Sequence, residues 1–236
     1  MKKRELFLLA LLCGSLSYAA CDLFFWTGEI HHGKILTEEI QQIAEDHDTK
    51  TKNAPLKEIN EDYACWMKIK DLSLSLPVVQ GSDDAYYLDH AFDRSENGQG
   101  TLFFSASDQP HDPVRIIYGH HVHYDPAAMF SPLLQLKEKQ DPVMFSLQYE
   151  EYEEQYQISY LFDLAKGSSE FTLQKHAFTS ADDFHQWIRY AEENTLIHGR
   201  EGTENDAYVI LQTCGRKKDE FLIAIGIRAD MYKVFA

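Results

Sequence analysis

Two side chains able to do covalent chemistry stand at the ends of apolar runs. Val209-Ile-Leu-Gln-Thr-Cys214 is β-forming and ends in a thiol, and the polar, mostly basic stretch Gly215-Arg-Lys-Lys-Asp219 follows it. The next apolar run, Phe221-Leu-Ile-Ala-Ile-Gly-Ile227, begins seven positions after Cys214, a spacing that predicts a strand end beside a short turn. A thiol so placed is held rigidly by a sheet yet opens to solvent, and neighbouring positive charge favours the thiolate, the reactive form. A lone cysteine is more often a small buried hydrophobe. A second run shifts that balance. Val114-Arg-Ile-Ile-Tyr-Gly-His120 is also β-rich, breaks at Gly119 and presents an imidazole at its exit. If the two strands are neighbours, His120 and Cys214 share a rim, the Cys/His arrangement of nucleophilic catalysis.

These residues resemble the signature of the sortases, the cysteine transpeptidases of Gram-positive bacterial surfaces. That signature is a strand ending Thr-Leu-x-Thr-Cys with a Gly-His well upstream, and this chain has Ile210-Leu-Gln-Thr-Cys214 and Tyr118-Gly-His120. Within the family it is similar to class B, block by block: Ile59-Asn-Glu-Asp-Tyr-Ala-Cys-Trp-Met-Lys-Ile-Lys70, Leu76-Pro-Val-Val-Gln80, Tyr86-Tyr-Leu-Asp-His90 and Gly100-Thr-Leu-Phe103. Pro126-Ala-Ala-Met-Phe-Ser-Pro-Leu-Leu134 resembles the Met-Phe turn that class B sortases carry after their Gly-His, and reads as a hydrophobic packing turn. The likeness covers residues 55 to 230.

The resemblance implies a mainly β fold: a sortase-like β-barrel of seven to eight strands, with an N-terminal helix and a helix before the Cys strand. It implies that Cys214 attacks the carbonyl of a Thr in an extended sorting signal to give a thioester. His120 would protonate the departing amine and then activate the incoming one. The partners it implies are the sorting-signal peptide of surface proteins and an amine acceptor from a cell-wall precursor or a pilin. Thr213 and Ile210, beside the thiol on its strand, are the candidate substrate-binding residues. The chain departs from the family at the third catalytic group. Sortases place an Arg at the start of the strand after the Cys, where Glu220 stands here. Arg228 would lie about 26 Å further along the strand, so Arg216, in the loop after Cys214, is nominated instead, ahead of Lys217 and Lys218. Ile210 in place of the first Thr is a milder departure. Two other readings stay open: a catalytically impaired sortase-like binding module, and a cell-wall cysteine peptidase, although the papain-like order puts Cys before His.

The rest of the chain must position these residues. A length of 236 residues allows one ordinary domain with an N-terminal extension. The net charge of -16 argues against nucleic acid or an anionic membrane surface as a main partner. Met1-Lys-Lys-Arg4 followed by the apolar run from Leu6 to Trp26 predicts a membrane anchor with the catalytic domain outside the cell; cleavage after Ala20 or lipid attachment at Cys21 would export it too. The organisation expected is therefore an anchor or signal segment at 1–26, a helical and linker extension at 27–58 and the catalytic domain at 59–236. In the extension, Ile35, Leu36, Ile40 and Ile43 give a partial apolar face, and Asp46-His-Asp-Thr-Lys-Thr-Lys52 reads as a solvated linker.

Short β runs are expected from Tyr63 to Phe104, at 114–118, 143–147, 152–164 and 171–173. Thr179-Ser-Ala-Asp-Asp183 opens a helix whose apolar face is Phe184, Trp187, Ile188 and Ala191. The four cysteines form no spaced disulfide framework. His121 and His123 alternate as metal ligands would, but a metal site needs a third ligand, from Asp125 or further away. No Gly-rich phosphate loop is present, and no cofactor or metal is expected.

Overall fold

Eight strands close into a barrel in the order β1 (Tyr63–Ile69), β2 (Leu74–Val79), β3 (Leu102–Phe104), β4 (Val114–Tyr118), β7 (Tyr208–Cys214), β8 (Glu220–Lys233), β6 (Tyr152–Ala165) and β5 (Val143–Gln148), with β5 returning to β1. The computed structural model describes residues 3–46, 53–110 and 112–233. Two neighbouring pairs, β2 with β3 and β4 with β7, are parallel, and the others are antiparallel. The mainly β barrel of seven to eight strands expected from the sequence is therefore the fold observed, with eight. The run Phe171–Leu173, expected as a strand, is not one. Its alternation serves packing instead, because Phe171 is buried against Trp187 and Tyr190 of the helix that follows.

The strands alternate between two apolar layers. Met67, Phe145, Ile158, Val209, Leu211, Leu222 and Ala224 fill the barrel interior. Ile116, Phe162, Ile210, Ile223 and Ile225 face outward into a second layer. Helix α4 (Ala181–Asn194) covers that layer with Phe184, Trp187, Ile188 and Ala191, the helical face expected from the 3.6-residue spacing. Its N-terminus is closed reciprocally: the Ser180 hydroxyl accepts from the Asp183 amide at 3.1 Å, and the Asp183 carboxylate accepts from the Thr179 amide at 2.9 Å. Across the barrel interior, Arg115 of β4 is paired with Glu154 of β6 and donates to the Tyr149 and Tyr156 hydroxyls at 2.7 and 2.8 Å.

Helix α1 (Lys3–Asp46) runs without a break through residue 26, so the anchor and the extension are continuous in backbone. Gly33, Ile40 and Ala44 are buried on its barrel side, joined by the partly buried Leu36, over Trp66, Val79, Tyr87 and Phe92. Lys34 pairs with Asp125 at 3.0 Å and His32 with Asp93 at 3.1 Å. A short helix, α2 (Asn53–Ile59), leads into β1, and another, α3 (Leu136–Lys139), precedes β5. Residues 47–52 of the expected linker lie outside the described residues. Among the described residues no helix is long and apolar enough to cross a membrane; the side chains of residues 1–10, the first part of the expected anchor, lie outside the description.

Gly119, between β4 and His120, has no room for a side chain. A Cβ there would meet Leu102 Cδ2 at 2.4 Å and Phe130 Cδ2 at 2.6 Å, both in fully buried side chains. Gly119→Ala is expected to destabilise the chain by about 1–3 kcal/mol through overpacking. A urea unfolding midpoint equal to that of the native protein would contradict this packing.

Candidate active site

Strands β4 and β7 pair in parallel with Val114 opposite Tyr208, Ile116 opposite Ile210 and Tyr118 opposite Gln212. The Gly119 amide extends the ladder by donating to the Gln212 carbonyl at 3.1 Å. Two residues beyond Tyr118 and Gln212, His120 and Cys214 leave the sheet at the same rim. Both follow the outward-facing positions of their strands, because side chains alternate with a period of two. The structure thus sets on one rim the two reactive residues that lie far apart in sequence.

His120 is held by backbone from two loops. Its Nε2 lies 2.7 Å from the Leu88 carbonyl oxygen. A carbonyl only accepts, so Nε2 carries the hydrogen, and Nδ1 is the nitrogen free to exchange a proton. The Leu88 carbonyl is itself closely approached by Gly100, at φ +64, where a Cβ would lie 2.8 Å from that oxygen and 2.5 Å from the Tyr87 oxygen. On the other side, the His120 carbonyl accepts from the Phe130 amide at 3.0 Å, and His121 bridges to Met129. Phe130 is fully buried, so the Met129-Phe130 turn is the packing turn read from the sequence, and it fixes the backbone of the imidazole.

Cys214 is half-buried at the end of β7, opposite Phe221 of β8. The Lys166 ammonium lies 3.8 Å from its sulfur. His121, not singled out as a catalytic group from the sequence, turns towards the same strand end: its Nδ1 is 3.4 Å from the Gly215 carbonyl. Burial first, and the adjacent His123 ring at 4.4 Å next, hold His121 below the ordinary histidine value, so it is neutral at neutral pH. Asp125, the third ligand that a His121/His123 metal site would have required nearby, is engaged by Lys34.

The other candidates fall elsewhere. The Arg216 guanidinium pairs with Glu138 of α3. Glu220 accepts from Lys217 at 2.8 Å, and it is paired with Ala165, one position out of phase with the Cys214–Phe221 pair, so it belongs to the opposite face of the sheet. Arg228 pairs with Glu154 at 3.2 Å. Ile210 is fully buried in the layer under α4, and Thr213 is buried and paired with the interior residue Leu222. Neither of the two candidate substrate-binding side chains is exposed beside the thiol. Lys166 escaped sequence reasoning because it stands 48 residues from Cys214, in a stretch with no motif of its own.

No family model matches the chain. Two curated relatives do. Sortase B of Listeria monocytogenes is 24% identical over 168 residues, covering 70% of this chain and 67% of the relative. Sortase B of Staphylococcus aureus is 26% identical over 187 residues, covering 76% of this chain and 74% of the relative. Among solved structures, a Staphylococcus aureus sortase B–substrate complex superposes with a TM-score of 0.68 at 22% identity, over 88% of this chain and 99% of that one.

The geometry separates the cysteines. Cys65 is fully buried in the barrel interior whereas Cys214 is at the rim. Brief treatment of the native chain with iodoacetamide, followed by peptide mapping, should modify Cys214 well before Cys65. Equal modification of both, without denaturant, would mean that the rim is not as described.

Proposed function

We propose that this chain is a class B sortase, a cysteine transpeptidase, and that it cuts a C-terminal sorting signal and passes the new carboxyl end to an amine. The observation that carries the reading is the parallel exit of β4 and β7, which sets His120 and Cys214 on one rim. The Cys214 thiol passes its proton to His120 Nδ1, and the sulfur attacks the carbonyl carbon of the residue before the scissile bond. The tetrahedral intermediate collapses to a thioester as the C–N bond breaks, and His120 gives its proton to the leaving amine. The same imidazole then takes a proton from the incoming amine, which attacks the thioester and frees the sulfur as thiolate, restoring the starting pair.

Resemblance to class B supports a signal of the Asn-Pro-x-Thr type, with Thr supplying the acyl carbon, and an acceptor amine from a cell-wall precursor or a pilin. The positive start and the apolar run to Trp26 support an enzyme anchored by its N-terminus at the outer face of the membrane. A second reading, a sortase fold that binds a sorting signal with little turnover, draws on one observation: Glu220, at the family's Arg position, offers the oxyanion no positive charge.

Intact mass measurement of the full-length protein in detergent, incubated with Asn-Pro-x-Thr peptides, separates the two. A thioester adduct that Cys214→Ala abolishes and that an added peptide amine resolves is the expected result. His120→Ala should slow adduct formation by about 10²–10⁴-fold. Peptide binding without any adduct would favour the second reading and overturn the first.

A further inference from the structure

Four basic side chains lie around the β7–β8 turn, Arg216, Lys217 and Lys218 within it and Lys166 beside it, and the contacts of three of them sort them. Arg216 is drawn to Glu138 and is 55% exposed. Lys217 is held by Glu220. Lys166, at the far end of β6, is the one that reaches the sulfur, at 3.8 Å. We propose that Lys166 is the cation of this active site, and that it stabilises the charge on the Cys214 sulfur and on the oxyanion that forms from the substrate carbonyl. The assignment rests on the transpeptidase reading above and names the group which that reading leaves without a residue.

Strand register explains how a residue so distant in sequence arrives there. In the β6–β8–β7 sheet, Leu164 is paired with Phe221 and Phe221 with Cys214, so the three side chains share one face. Lys166 lies two residues beyond Leu164 and projects to that same face. Its amide donates to the Asp219 carbonyl at 2.8 Å, which ties its backbone to the β7–β8 turn. The ammonium lies 5.0 Å from the centre of the Phe221 ring, the residue directly across from Cys214. That ring steers the flexible lysine stem and offers its face to the cation. Gly167, at φ +78, then turns the chain away from the sheet.

The chemistry places negative charge near Lys166 at each step. The thiolate pair forms the S–C bond while the carbonyl π pair moves onto oxygen. The oxyanion then re-forms the carbonyl and expels the amine, which takes its proton from His120. No oxidant or further reactant is needed. A lysine supplies a point charge with three rotatable donors, not the fixed fork of an arginine, so it can serve the sulfur first and the oxygen next without a bidentate clamp.

The test compares the full-length native protein with Lys166→Met, Lys166→Arg and Arg216→Ala, each checked for native circular dichroism. Thioester formation with an Asn-Pro-x-Thr peptide should slow by about 10²-fold in Lys166→Met, with peptide affinity little changed, and Lys166→Arg should recover most of the loss. A native rate in Lys166→Met, or a greater loss in Arg216→Ala than in Lys166→Met, overturns the assignment. A second readout needs no peptide: the ratio of Cys214 alkylation by anionic iodoacetate to that by neutral iodoacetamide should fall in Lys166→Met. If the native protein forms no thioester, the transpeptidase reading fails and this ratio alone decides whether Lys166 serves the sulfur; an unchanged ratio overturns it.

Discussion

Everything at the rim depends on the parallel hydrogen bonding of β4 to β7. Parallel neighbours leave a sheet in the same direction, so two strand exits become one site only when the strands run together. The Gly119 amide carries that ladder one bond past the end of β4. It can do so because Gly119 has no side chain to push against Leu102 and Phe130. The long connection that a parallel pair requires is occupied by β5, β6 and α4, which wall the barrel and cover its outer layer. The elements between His120 and Cys214 are thus what makes their closeness affordable in topological terms.

The imidazole of His120 is fixed by backbone groups. The Leu88 carbonyl sets its tautomer, and the Phe130 amide holds its carbonyl. Part of that hold is strained: Met129 sits at φ +47, a left-handed conformation that costs a non-glycine residue about 1–2 kcal/mol. Burial of Phe130 offsets it. A neutral carbonyl partner, unlike a carboxylate, adds no negative charge to a rim where the reaction itself generates some. That suits a chain whose formal charge is already -16.

How much of this was legible in the sequence depended on how far each signal reached. Cys214 and His120 each announce themselves locally, as reactive residues closing β-rich runs, and α4 declares its buried face and its cap through spacing alone. The barrel followed from the class B resemblance and from the number of short strands. Phe171–Leu173 misled because an alternating triplet looks the same whether it pairs with a strand or packs on a helix. The cation proposed for the site was the least legible part. Arg216 is close to Cys214 in the chain, but Glu138 of α3 takes its guanidinium. Lys166 is brought to the sulfur by two successive strand registers, a long-range relation that no local pattern encodes.

Those same registers carry an evolutionary consequence. Nucleophile and imidazole are tied to specific backbone positions, but a charge needs only to stand on the right face at the right rim. Any strand ending there, with the correct parity, can furnish it. With Lys166 in the proposed role, the cation comes from the end of β6 with Cys214 and His120 unmoved, and the turn between β7 and β8 need not supply it. On that proposal, Glu220 at the place of the expected arginine is no sign by itself of lost activity, and the neighbouring strand ends are where a substitute cation is sought.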